Sequence, residues 1–137
     1  MRNLVTSIAA LALAAPALAA PPAPKWAGVF RNAGNSVHLR VAPCGRGAMC
    51  GTVIWASAKA KADVAARGKR LIGTQLFRDF QPTEPGVWEG DVYVPDIDRS
   101  FSGTITMDGP NRLVGEGCLF AGLGCKQQVW TRVPGRK

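Results

Sequence analysis

From Trp26 onward the chain breaks into short apolar runs punctuated by glycine and proline, the pattern of antiparallel strands joined by tight turns. Residues Ser36-Val37-His38-Leu39-Arg40-Val41 alternate strictly, placing Val37, Leu39 and Val41 on one face and Ser36, His38 and Arg40 on the other. The same period recurs over 87–94, where Trp88, Gly90, Val92 and Val94 oppose Val87, Glu89, Asp91 and Tyr93. Thr52-Val53-Ile54-Trp55 is a β-branched and aromatic run suited to a strand. Read this way, strands fall at 26–30, 36–41, 49–56, 70–80, 87–94, 100–107, 112–120 and 126–133. Turn material lies between them at 43–47, 82–86, 95–98, 108–111 and 121–124. The alanine-rich stretch 57–68 has only Val64 as a β-branched residue and predicts a loop or a short helix.

Eight short antiparallel strands leave two open sheet edges unless the sheet closes on itself. An all-β, small, up-and-down β-barrel of about eight strands is therefore the expected fold, with a two-sheet β-sandwich as the alternative. Glycines within strands, among them Gly90 and Gly103, suit the close approaches of a small barrel.

The beginning of the chain has a different pattern. Residues 1–19 combine one positive charge at Arg2, an apolar run from Leu4 to Leu18 and Ala17-Leu18-Ala19 as a cleavage site, which predicts a signal peptide for export to the periplasm or outside the cell. Pro16, Pro21, Pro22 and Pro24 interrupt the run before it reaches the roughly 20 residues of a membrane span, so no transmembrane segment is expected after signal removal. The remaining 118 residues then divide into an extended proline-rich lead-in (20–25), one barrel domain (26–133) and a basic tail (134–137), expected to be monomeric. Export also changes the meaning of charge. The remaining chain carries 16 basic and 9 acidic residues, a net +7, which in an exported protein points to anionic envelope surfaces and not to nucleic acid. The densest basic stretch, Lys59, Lys61, Arg67, Lys69 and Arg70, reads as a solvated face.

An oxidising compartment also turns the four cysteines into structural bridges. They form two close pairs, Cys44 with Cys50 and Cys118 with Cys125, and local pairing would brace two turns, although four cysteines allow three connectivities. Their C-x5-C and C-x6-C spacings lack the C-x2-C signature of a zinc site, so no metal and no cofactor is expected. No enzymatic activity is expected either. His38, the single histidine, lies in a strand, and no G-x-S-x-G elbow presents a nucleophile. Asp96-x-Asp98-x-Ser100 lacks the glycine and distal glutamate of a calcium loop and reads as a capped turn. Glu116, between two glycines, would need a partner such as an arginine if it faced inward.

Several fragments, in order, carry a resemblance. These are Cys44, Cys50 and Gly51, then Val53-Ile54-Trp55, Arg70-Leu71-Ile72-Gly73, Trp88 with Gly90, Tyr93 and Pro95, Gly117-Cys118, and Trp130-Thr131-Arg132. Over about residues 26–133 the chain resembles the exported bacterial proteins of the domain of unknown function 2147 family, which implies a lipocalin-like barrel without assigning it an activity. The chain departs from that pattern in 57–68 and in Asp96-Ile97-Asp98-Arg99. Within such a barrel the expected function is binding of a small apolar or amphipathic ligand, with contact with anionic lipid or polysaccharide of the envelope as the alternative. The four tryptophans, Trp26, Trp55, Trp88 and Trp130, are core candidates first, and a subset could line a pocket. The expected ligand contacts are Trp55, Trp88, Tyr93 and Trp130 as aromatic surfaces and Arg70 as a cationic partner.

Overall fold

The computed structural model describes residues 8–16, 22–120 and 123–135. The cleavage site expected at 17–19, the first residues of the expected leader and the last two of the basic tail lie outside the described residues. No helix among the described residues is long and apolar enough to cross a membrane. The strands are β1 (Gly28–Asn32), β2 (Val37–Pro43), β3 (Met49–Ala56), β4 (Gln75–Glu84), β5 (Val87–Val94), β6 (Arg99–Met107), β7 (Arg112–Phe120) and β8 (Leu123–Arg132), and helix α1 (Ala58–Ala65) lies between β3 and β4. Each strand pairs antiparallel with the next. β8 returns to β1 through Phe30 opposite Arg132, Arg31 opposite Thr131 and Asn32 opposite Trp130. That last pairing closes the barrel and leaves no edge, so the sandwich alternative does not apply.

The alternation in β2 translates directly into packing. Leu39 and Val41 are buried and Arg40 is exposed. β2 and β3 form a hairpin whose turn runs through left-handed Gly45, Arg46 and Gly47, with φ of 105°, 52° and 76°, and the Cys44–Cys50 disulfide crosses its mouth. The Cys118–Cys125 disulfide joins the paired strands β7 and β8.

Several boundaries differ from the sequence reading. Trp26 is not in a strand. It lies in a turn closed by Ala27 N–H donating to Pro24 O at 3.0 Å, and β1 begins only at Gly28. Residues 70–74 turn instead of extending, with Gly73 at φ 88° and Thr74 N–H donating to Leu71 O at 3.1 Å. β4 consequently starts at Gln75 and runs past Pro82 to Glu84. Pro82, which has no N–H to give a ladder, is tolerated because the β4–β5 register shifts between Pro82 and Glu84. β8 begins at Leu123, before Lys126.

Helix α1 is too short to be stable alone. Ser57 caps it, its Oγ accepting from Ala60 N–H at 3.1 Å, and Val64 fastens it to the core. Leu71, just beyond, is buried in the same cluster, so the segment between β3 and β4 is fastened to the core at Val64 and Leu71. The interior is filled with side chains. Phe30, Leu39, Val41, Met49, Val53, Phe77, Phe80, Ile105 and Leu113 have almost no accessible surface, and Trp88 and Trp130 join the same cluster. An eight-stranded barrel can be filled or hold one small ligand. This one is filled.

Candidate functional site

Strand direction sorts the loops into two ends. At the helix end lie the β1–β2 turn, α1 with its following connection, and the β5–β6 turn. At the opposite end, here the mouth, lie the N-terminal lead-in and the β2–β3, β4–β5 and β6–β7 turns.

The residues expected to contact a ligand do not converge. Trp88 and Trp130 point inward, 6% and 3% exposed, and Trp130 packs edge-to-face on Phe77 with ring centroids 5.5 Å apart. The buried Trp130 indole N–H has no acceptor among the described residues. Trp55 points outward, 41% exposed, because the β2–β3 register shifts between His38 and Leu39. Trp55 pairs with His38 and Val53 with Leu39, so Ile54 is the extra residue and the strand rotates Trp55 away from the core. Its ring lies 4.5 Å from that of His38, whose Nε2 is 2.7 Å from Asn35 Oδ1. Arg70 is exposed on the helix-end connection, where its carbonyl accepts from Thr74 Oγ1 at 2.6 Å.

Tyr93 is also on the outer wall, in a polar cluster. Its Oη donates to Asp98 Oδ1 at 2.6 Å, and the Arg78 guanidinium sits 4.1 Å above its ring. Lys69 Nζ approaches Asp98 Oδ1 at 3.7 Å. The hydrogen bond from Tyr93 and then the charge of Lys69 hold the Asp98 carboxyl below its ordinary value, while the same hydrogen bond raises the Tyr93 phenol. The Asp98 side chain thus ties the 95–98 turn to Tyr93 of β5 and to Lys69.

Glu116 is exposed on the outer wall and accepts from Gln127 Nε2 at 3.3 Å, so no inward acid–arginine pair is built around it. Its carboxylate and the sulfurs of Cys118 and Cys125 lie within 4.8 Å of one another, but those sulfurs are bonded to each other and supply no thiolate.

The mouth holds a feature that the sequence reading did not assemble. Trp26 lies over Trp88 edge-to-face, centroids 5.7 Å apart and planes inclined at 65°. Beside this pair opens a groove of about 430 Å³, lined by the two tryptophans and by Gly47, Pro82, Glu84 and Pro85. Arg132 fixes the lead-in that carries Trp26. Its Nη1 donates to Ala27 O and its Nη2 to Lys25 O, both at 2.7 Å, and its Nε donates to Pro110 O at 3.2 Å. The guanidinium lies 4.7 Å over the Phe30 ring. A Cβ on Gly28 would push Arg132 Nη1 aside, and its backbone φ of 150° would strain any other residue, so glycine suits this position. The signal available in the sequence was Lys25-Trp26 directly ahead of β1 and Arg132 at the end of β8, two segments that only barrel closure brings together.

Fold and mouth define a small, disulfide-braced, up-and-down β-barrel with a filled interior and an aromatic groove at one end. The chain belongs to a family of uncharacterised proteins conserved in bacteria, DUF2147, whose pattern matches residues 28–132. The matched span begins at the first residue of β1 and ends at the last of β8, so it coincides with the barrel. No curated protein and no solved structure matches the chain.

Proposed function

We propose that this protein is an exported, non-enzymatic barrel that binds a small apolar or amphipathic molecule in the groove at its mouth and not inside the barrel. The observation that carries this reading is the Trp26–Trp88 pair beside an open groove at the end of a barrel whose interior is already occupied. Apolar area from two indoles and two prolines favours an apolar body, and the Glu84 carboxylate at the rim favours a donor or cationic end on the same molecule. Trp26 is anchored from below by Arg132, so the groove is preorganised and little ordering is lost when a ligand enters. Export is supported by the leader pattern and by two disulfides.

The test starts from full-length protein expressed with its leader and recovered oxidised from the periplasm. Native mass spectrometry reads any retained ligand, and titration with an anilinonaphthalene dye reads the groove. Dye binding that Trp26→Ser abolishes without loss of folding supports the reading. Dye binding unaffected by Trp26→Ser overturns it.

A further inference from the structure

The barrel's second surface feature lies at the end opposite the groove. Among the described residues after position 16, the exposed large hydrophobic residues are Trp55 at 41% and Ile97 at 43%. Both are at the helix end, Trp55 near the last residue of β3 and Ile97 at the tip of the β5–β6 turn. Between them runs the connection that carries α1, tied to the β5–β6 turn by Lys69 against Asp98.

This connection has two faces of opposite character. Val64 and Leu71 go into the core, while Lys59, Lys61, Arg67, Lys69 and Arg70 are all exposed, joined by Arg99 at the start of β6. Three exposed acids accompany these six bases, Asp63, Asp96 and Asp98, and two of them are engaged internally, Asp63 with Lys59 at 2.9 Å and Asp98 with Lys69 and Tyr93. The end is therefore a net cationic surface with an indole on one side and a branched aliphatic tip on the other.

We propose that the helix end docks on the surface of an anionic phospholipid bilayer, with Trp55 and Ile97 entering the headgroup region and the basic connection lying against lipid phosphates. Charge complementarity selects an anionic partner. Ile97 selects lipid over an anionic glycan. A branched aliphatic chain offers a sugar ring nothing to stack on, whereas it gains by leaving water at the acyl boundary, and an indole settles at that same interface. Because Val64 and Leu71 fasten the connection from beneath, the cationic face is presented without folding on binding. Docking this end leaves the mouth groove facing away from the membrane.

The test is sedimentation of the oxidised, periplasm-recovered protein with vesicles of phosphatidylglycerol and phosphatidylethanolamine, against vesicles of phosphatidylcholine, across a range of salt. The expected result is binding to the anionic vesicles only, weakened by salt, with tryptophan fluorescence quenched by brominated acyl chains. Trp55→Phe should remove the quenching, Ile97→Asp should weaken binding at least tenfold, and Trp26→Ser, in the groove, should leave binding unchanged. Failure to sediment at low salt overturns the proposal. So does salt-sensitive binding with no quenching and no response to Ile97→Asp, which is charge attraction without docking. Full displacement by a soluble anionic polysaccharide, again without quenching, overturns it in favour of a glycan partner.

Discussion

Phe80 sits directly over Gly90. A Cβ built on Gly90 would lie 2.8 Å from the Cα of Phe80 and 2.9 Å from the carbonyl oxygen of Arg78, so the two strands approach as closely as they do because Gly90 has no side chain. Phe80 reaches this position through Asp79, which adopts a left-handed φ of 48° where the β4–β5 register shifts between Arg78 and Gln81. The aromatic ring covers the surface that glycine leaves bare. Gly90→Ala forces backbone to move and should destabilise the barrel by about 1–3 kcal/mol. Gly115, buried in β7, is the control. Its Cβ would meet only Gln128 O at 3.8 Å and Trp130 Nε1 at 4.0 Å, so Gly115→Ala should instead stabilise by about 0.4–1 kcal/mol through the unfolded chain. Denaturant melts of the two variants, compared at constant m-value, read the opposite signs.

The same bulge shows where sequence reading stops. Period-two alternation in β2 and β5 gives the inside and outside of the barrel correctly, because a regular strand has no freedom to do otherwise. The eight segments and their order follow from spacing in the same way, whereas local pairing of the cysteines, one of the three connectivities the sequence allows, is settled only by the structure. Phe77 and Phe80 are three residues apart and are both interior, which no alternating strand permits and which the bulge at Asp79 makes possible. Trp55 shares the parity of buried Val53 yet faces solvent, for the same kind of reason at Ile54. Bulges of one residue leave little trace in composition, so a ligand set of Trp55, Arg70, Trp88, Tyr93 and Trp130 mixes the core with two regions of the outer surface. The groove was illegible for another reason. Trp26 and Trp88 are 62 positions apart and meet only because Arg132, on the last strand, holds down the lead-in before the first.

Tyr93 and Asp98 give a pH signature that can be read directly. Asp98 is held below its ordinary value of 3.8, so its link to Tyr93 and Lys69 is fully present above that pH and is lost as pH falls through the lower, folded value. Tyr93 is held above 10.0, so its contribution is fully present below pH 10 and is lost as pH rises through the higher, folded value. Tyr93 is the only tyrosine in the chain. Tyrosinate difference absorbance should therefore show one transition with a midpoint above 10.0. Asp98→Asn should shift it down, because both the acceptor and its negative charge are removed. An unchanged midpoint would mean that the hydrogen bond is not formed in solution.

Arg132 should matter more than a surface arginine. Its guanidinium reaches three backbone carbonyls at once and covers Phe30, a geometry that the compact ammonium of lysine cannot reproduce. Arg132→Ala should cost about 1.5–3 kcal/mol, the range for hydrogen bonds to a charged group. Arg132→Lys should recover only part of it. Hydrogen exchange separates this role from general destabilisation. Amides around Lys25–Ala27 should lose protection first, while those of β6 and β7 retain theirs at temperatures well below unfolding.

The two disulfides close loops of similar length, with sequence separations of 6 and 7, and each should contribute about 2 kcal/mol, near the lower end of the usual range because short loops have little closure entropy to remove. Their locations differ in consequence. Cys44–Cys50 holds the turn that contains Gly47, which lines the mouth groove, whereas Cys118–Cys125 lies toward the opposite end, in the β7–β8 pair. Replacing both members of either pair by serine should thus lower the denaturant midpoint by comparable amounts. Dye binding at the groove should fall only in the Cys44→Ser, Cys50→Ser variant, because there the turn is released from the wall it forms with Pro82 and Pro85. Equal losses of dye binding in both variants would trace the effect to overall stability and detach the groove from its disulfide.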